Sequence, residues 1–81
     1  MSRKEVRYAQ LVYRDHILNE LRAYAQPIEI HNDKELNWVV KKRFPIDAKD
    51  LWKSGMDVVG YVIVPEPIFR LHGEKVKKLK E

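Results

Sequence analysis

The prolines and glycines of this chain divide it into segments more clearly than any other feature of its sequence. All of them follow residue 26, and they are Pro27, Pro45, Gly55, Gly60, Pro65, Pro67 and Gly73. Because proline interrupts helices and sheets and glycine weakens both, residues 4–25 can form one uninterrupted element, whereas the later residues are divided into short ones. No repeat or low-complexity tract is present, so residues 1–81 are expected to form a single small globular domain.

The first segment has the composition and spacing of an amphipathic helix. It is rich in Leu, Ala, Arg and Glu. At about 100° per residue, one face collects Val6, Tyr13, Ile17, Leu21 and Tyr24, with Leu11, Leu18 and Ala25 beside it. Pro27 ends this pattern. Residues 6–13 could instead begin as a strand, so the helical pattern is clearest from Arg14 onward.

The next segment predicts a β-hairpin that ends at Pro45. Residues 28–31 alternate isoleucine with Glu and His, which is the period of a half-buried strand. A three-residue turn over residues 32–34 aligns the apolar positions of both strands. Leu36, Trp38, Val40 and Phe44 then point inward, while Val39, Lys41 and Arg43 point outward. The Trp38 and Phe44 rings are therefore expected in the core, rather than on the surface as base-stacking platforms.

A short helix and a buried strand follow. Asp47 is a suitable N-cap for a helix over residues 46–55, and Gly55 can end it. Residues 56–64 are apolar and β-branched, as in a central strand, and Gly60 marks a bulge or a close backbone approach.

The last segment predicts a final strand and a basic end. Residues 65–67 are a stiff connector, residues 68–72 a strand, and residues 74–81 a basic tail that is helical or frayed. The order αββαββ predicts an α+β fold. It consists of a small antiparallel sheet, with an N-terminal amphipathic helix and a short second helix packed on one face.

Composition narrows the classes of protein that fit. The absence of cysteine rules out disulfides and thiolate metal sites, and it suits a reducing, cytoplasmic location. The longest apolar run, residues 58–64, is far shorter than the roughly 20 residues of a membrane span, so no membrane partner is expected. The basic start leads into no apolar stretch of a signal peptide. The net charge of +4 is spread along the chain, which weakens the simplest argument for nucleic-acid binding.

The chain is poorly supplied with catalytic side chains. It has no cysteine or threonine, and its only serines are Ser2, at the start of the chain, and Ser54, which has no activating base nearby in sequence. Its three histidines lack metal-ligand spacing. We therefore expect no enzyme, no cofactor and no metal. The one catalytic alternative is Glu29 with His31, which could pass a proton on the outer face of a strand.

Two sets of residues carry the binding predictions. Three positions lie off the main apolar stripe of the predicted N-terminal helix and could dock onto another protein or a second copy of this chain: Tyr8, Ala9 and Val12. The cations that could hold a polyanion are Arg3, Arg7, Arg14, Lys41, Arg43, Lys75, Lys77, Lys78 and Lys80. The sequence thus predicts a non-catalytic binding module (an adaptor, accessory subunit or inhibitor), with binding to nucleic-acid phosphates as the alternative.

Overall fold

The structure is a computed structural model that describes residues 6–79. Its elements are β1 (Arg7–Asp15), β2 (Glu20–Ala23), β3 (Ile28–Ile30), α1 (Asp33–Trp38), a π-helical segment (Val39–Arg43), α2 (Phe44–Lys53) and β4 (Asp57–Val64). Helix α1, the π-helical segment and α2 run on without a break, and we call residues 33–53 the long helix. The predicted α+β class is confirmed, with a four-stranded antiparallel sheet, but the predicted order and the N-terminal helix are wrong.

Residues 7–23 form a β-hairpin where the sequence predicted a helix. Alternate side chains of β1 enter two different cores: Ala9 and Leu11 pack beneath the long helix, while Tyr8 and Val12 pack on the opposite face of the sheet. A strand that is buried on both faces is apolar at most positions, and such a run also fits a helical period. The strand alternative for the first part of this segment is therefore confirmed.

The turn of this hairpin, residues 16–19, contains neither glycine nor proline. The Asp15 Oδ1 atom accepts hydrogen bonds from the N–H groups of Ile17 and Leu18, at 2.9 and 3.1 Å. The Leu18 bond is the main reason why the pKa of Asp15 is lowered. Asn19 takes the left-handed conformation, with φ of 55°. Aspartate and asparagine are the residues that support such turns, so these two positions were the available sequence signal.

Strand β1 is the centre of the sheet. Strands β2 and β3 pair with one of its edges and β4 pairs with the other, all antiparallel. Val12 lies opposite Ala23 of β2 and Gly60 of β4, and Tyr8 lies opposite Glu29 of β3. The strand predicted as central, β4, therefore flanks the true centre.

The long helix is capped by Asn32, in the segment where the sequence predicted a hairpin turn. The Asn32 Oδ1 atom accepts the Glu35 N–H at 2.9 Å, which is a helix N-cap. The helix then passes through Pro45 because the preceding turn widens, with the Phe44 N–H donating to the Val39 carbonyl five residues earlier. Proline has no N–H and crowds the carbonyl four residues before it, and a π-type turn relieves that conflict.

The second strand of the predicted hairpin is therefore wrong, and so is the cap at Asp47, which lies inside α2. The predicted end of the helix is confirmed. Gly55 has φ of +87° and its N–H donates to the Trp52 carbonyl at 3.0 Å.

The long helix packs on one face of the sheet and forms the larger core. Its buried members are Ala9, Leu11, Ile30, Val39, Phe44, Ala48 and Val58. Phe44 is in this core as predicted, and its ring lies 5.7 Å from that of Tyr61. The inward placement of Trp38 and the outward placement of Val39 are both wrong, because a helical period replaces the strand period.

The C-terminal segment, residues 65–79, lies over the opposite face of the sheet, and we call it the cover. Ile68, Leu71 and Val76 pack there against Val12, Val62 and Val64. Residues 68–72 were predicted as a strand, but they make one isolated bridge, between Arg70 and Arg22.

A buried glutamine fixes the start of this cover. The Gln10 side chain is fully buried and donates to the carbonyls of Tyr24 and Ile68, at 2.9 and 2.8 Å. Its Oε1 atom accepts the Ile68 N–H at 2.8 Å. All polar groups of this side chain are thus paired, as burial requires.

The end of the cover crosses the outer edge of β4. The N–H and carbonyl of Lys77 pair with those of Tyr61, each at 2.8 Å. A side chain at Gly60 would come within 2.2 Å of the Lys77 carbonyl oxygen. The pairing of β1 with β4 also shifts at this point, so the bulge and the close backbone approach, which the sequence left as alternatives at Gly60, are both present.

Within residues 6–79, no helix is long and apolar enough to cross a membrane.

Candidate docking site

The face predicted to dock onto a partner lies largely inside the protein. Ala9 and Val12 are fully buried, and Tyr8 is half-buried against the second core. These positions lay outside the main apolar stripe only in the helix that the sequence predicted. In a central strand, these three side chains are covered by the protein's own chain.

Two of the candidate polyanion-binding arginines, Arg7 and Arg14, do not lie together on one surface. In β1, Arg7 and Arg14 are separated by an odd number of positions, which places them on opposite faces of the strand and about 23 Å apart. Arg7 forms an ion pair with Asp33 at 3.2 Å, while Arg14 is exposed. Arg3 lies outside the described residues.

Large apolar side chains of the long helix are exposed to solvent, among them Trp38 and Ile46. Trp38 is 57% exposed and Ile46 is 64% exposed. Together with Lys42, Arg43 and Asp47 they line a depression of about 260 Å³, which we call the Trp38 cleft. Lys41 and Arg43 are surface cations as predicted, and Lys42 is exposed as well.

The exposure of Trp38 follows from the helix. The side chains that face the sheet are Leu36, Val39, Val40, Phe44, Ala48 and Leu51, at the three- and four-residue spacing of one helical face. Trp38 follows Leu36 by two positions, or about 200° around the helix. In a strand, the same two positions would share a face. The sequence signal that could have separated these outcomes is the spacing of Asn32 and Glu35, which is typical of a helix N-terminus.

A second depression adjoins the first. It lies between the long helix and the strands and has a volume of about 180 Å³. We call it the Tyr24 pocket, and its lining includes Leu11, Tyr24, Gln26, Asp50 and Leu51. Arg43 and Asp47 line both depressions, and their side chains form an ion pair at 3.5 Å. The two depressions therefore share one wall, made by this ion pair.

The charges around the two depressions are of opposite sign. Lys42 is exposed at the Trp38 cleft, and Asp50 is exposed at the Tyr24 pocket. Among the described residues, neither forms an ion pair, whereas Arg43 and Asp47 neutralise each other. The surface that the two depressions form together is apolar in the Trp38 cleft. Its unpaired charges are the cation Lys42 at the cleft and the anion Asp50 at the Tyr24 pocket.

The catalytic alternative is part of an ion-pair cluster near the start of the long helix. His31 Nε2 lies 3.2 Å from Glu29 Oε1, and His31 Nδ1 lies 2.9 Å from Glu35 Oε1. Glu35, and to a lesser degree Glu29, raises the pKa of His31. All three side chains are partly exposed. The arrangement joins β3 to α1, and the His31 ring contacts a carboxylate on both sides.

The predicted tail cations lie along the cover. Lys75, Lys77 and Lys78 are exposed, and the backbone of Lys77 pairs with β4. Lys80 lies outside the described residues. No three potential metal-binding side chains are suitably grouped within residues 6–79.

No known protein-family model, curated protein or solved structure matches this chain.

Proposed function

We propose that this protein is a non-catalytic binding module that docks onto another protein through the Trp38 cleft. The observation that supports this proposal is the exposure of Trp38 beside Ile46 in a concave surface with cations at its rim. Tryptophan and arginine are the residues that most often dominate protein interfaces. A partner side chain that enters the cleft would remove both apolar groups from water, at about 25 cal/mol for each Å² buried.

A protein partner fits this surface better than a polyanion. Asp47 and Asp50 lie close to Lys42 and Arg43 on the same helix. A phosphate chain following the helix from the cleft would meet these carboxylates, and like charges repel. A protein segment can carry charges of both signs and can match the whole surface.

Nucleic-acid binding is the second candidate, and one observation favours it. Lys41, Lys42 and Arg43 are consecutive exposed cations close to the exposed ring of Trp38. Cations that hold phosphates next to an aromatic ring that stacks a base are the usual parts of a single-strand binding surface. The two candidates share Trp38 and differ in the chemistry of the partner.

The test uses the full chain immobilised as bait in an extract of the cells that produce it, with and without nuclease. We expect one protein to be captured in stoichiometric amount, and nuclease treatment to leave this capture unchanged. Trp38→Ala should reduce the capture at least tenfold, since truncating a central interface tryptophan costs about 2 kcal/mol or more.

The matched control is Phe69→Ala, because Phe69 is also a highly exposed aromatic residue but belongs to the cover. This variant should capture the partner normally. Equal loss with both variants, or no dependence on Trp38, contradicts docking through the cleft. Capture that nuclease abolishes, with affinity that falls steeply with salt, supports the second candidate instead.

A further inference from the structure

We infer that the partner's docking segment carries an acidic residue next to a large apolar one, and a basic residue further along. This inference rests on the proposed docking function and names the chemistry of the partner. It follows from the two adjoining depressions and from the opposite charges beside them.

Each depression is the size of one side chain. The Trp38 cleft, at about 260 Å³, has apolar walls from Trp38 and Ile46 and accepts a large apolar side chain. The Tyr24 pocket, at about 180 Å³, is below the range of roughly 300–1,000 Å³ that is typical of small-molecule sites. Two small depressions that share a wall suit two anchoring side chains of one peptide better than a single ligand.

The unpaired charges set the pattern of the segment. The Arg43–Asp47 ion pair separates the depressions and is internally neutral. Lys42 on one side of it favours an acidic group on the partner, and Asp50 on the other side favours a basic group. The partner's basic side chain can place its stem against Tyr24 and its charged head near Asp50.

The distance between these charges predicts their spacing in the partner. Lys42 and Asp50 are eight residues apart on the long helix, which corresponds to about 12 Å at 1.5 Å per residue. An extended peptide rises about 3.3 Å per residue, so about four positions cover that distance. The expected segment therefore has its acidic and basic residues about four positions apart, with the apolar anchor beside the acidic one.

The experiment is a selection from a display library of random 16-residue peptides, with the full chain as target. Selected peptides should bind the Trp38→Ala variant at least tenfold more weakly, and most should carry the acidic, apolar and basic pattern. Lys42→Glu and Asp50→Lys should each weaken these peptides about tenfold. Reversing the matching charge in the peptide should restore binding to each variant.

Two control variants make the same charge changes away from the site. Lys78→Glu and Glu66→Lys alter exposed residues of the cover, and neither should weaken the selected peptides. Recovery of no peptide that depends on Trp38 counts against the docking function itself. Peptides that depend on Trp38 but tolerate both charge reversals overturn this inference and leave the docking function standing.

Discussion

At the scale of single residues, the fold influences the charge state of the His31 side chain. It contacts Glu35 of α1 and Glu29 of β3, and Arg7 and Asp33 form an ion pair nearby. The Glu35 hydrogen bond is the main reason why the pKa of His31 is raised above the ordinary value of 6.5. The protonated ring stabilises the junction between strand and helix because both of its neighbours are carboxylates.

The stability that His31 contributes should therefore depend on pH. A raised pKa in the folded state means that the contribution is fully present below about pH 6.5 and is lost as the pH rises through the folded-state pKa. We expect His31→Gln to lower the free energy of unfolding more at about pH 5.5 than at about pH 8.5. Denaturation with urea at both values measures this difference.

A titration of the His31 ring by NMR tests the cause of this effect. Glu35→Gln should lower the pKa of His31 more than Glu29→Gln does, because Glu35 has the larger influence. A pKa that neither substitution changes would show that the two carboxylates do not control the ring.

At the scale of elements, two segments depend on local exceptions to regular geometry. The long helix contains Pro45, which the sequence indicated as a stop, and a π-helical segment directly before it makes room for the ring. Strand β4 contains Gly60, where the chain comes too close for any side chain. In both places, the exception keeps a longer element continuous.

Gly60→Ala tests the second of these exceptions. Its Cβ would meet the Lys77 carbonyl oxygen, which is backbone and is held by the Tyr61 pair, so the edge pairing must shift or break. We expect a loss of about 3 kcal/mol in the free energy of unfolding, measured with urea.

The matched control is Gly73→Ala, where φ is +98° but no atom beyond the adjoining residues lies within 4 Å of the new Cβ. That substitution carries only the backbone strain, about 1 kcal/mol. If both alanine variants lose the same free energy of unfolding, the close approach at Gly60 contributes nothing to the loss in Gly60→Ala.

At the scale of the whole molecule, the sheet is covered on both faces by different means. The long helix covers one face, and the irregular segment of residues 65–79 covers the other. This segment also pairs with β2 through Phe69 and with β4 through Lys77, and thereby occupies part of both outer edges. Occupied edges are protected from pairing with other chains.

Deleting residues 74–81 tests whether the end of the cover is structural. From the sequence, these residues were predicted to form a basic tail that is helical or frayed. Removing a frayed tail would leave the free energy of unfolding unchanged. In the structure, Val76 packs against one core, Leu79 packs against the other, and the Lys77 backbone makes two hydrogen bonds.

We expect this deletion to cost about 3 kcal/mol of unfolding free energy, from the lost apolar burial and the two hydrogen bonds. Lys78→Ala, which changes an exposed residue of the same segment, should leave stability within about 0.5 kcal/mol of the original. Equal stability of the deleted and intact chains would show that the end of the cover is not structural.

Several features could be predicted from the sequence because short-range chemistry decides them. The end of the long helix could be predicted at Gly55 because the residue after a helix often takes a positive φ, which glycine tolerates. Strand β3 follows from isoleucine at strand spacing and β4 from an apolar, β-branched run, and Phe44 belongs to the core under either period. The special role of Gly60 follows from a glycine within an apolar strand.

The remaining features were decided by what covers each surface in the folded chain. Residues 7–15 have apolar side chains that fit a helix or a strand, and only the arrival of the long helix on one face and of residues 65–79 on the other makes the strand the better choice. The sequence therefore determined an α+β domain and several of its boundaries. The tertiary structure decided which apolar groups were left uncovered, because burial depends on distant segments, and it left Trp38 and Ile46 at the surface.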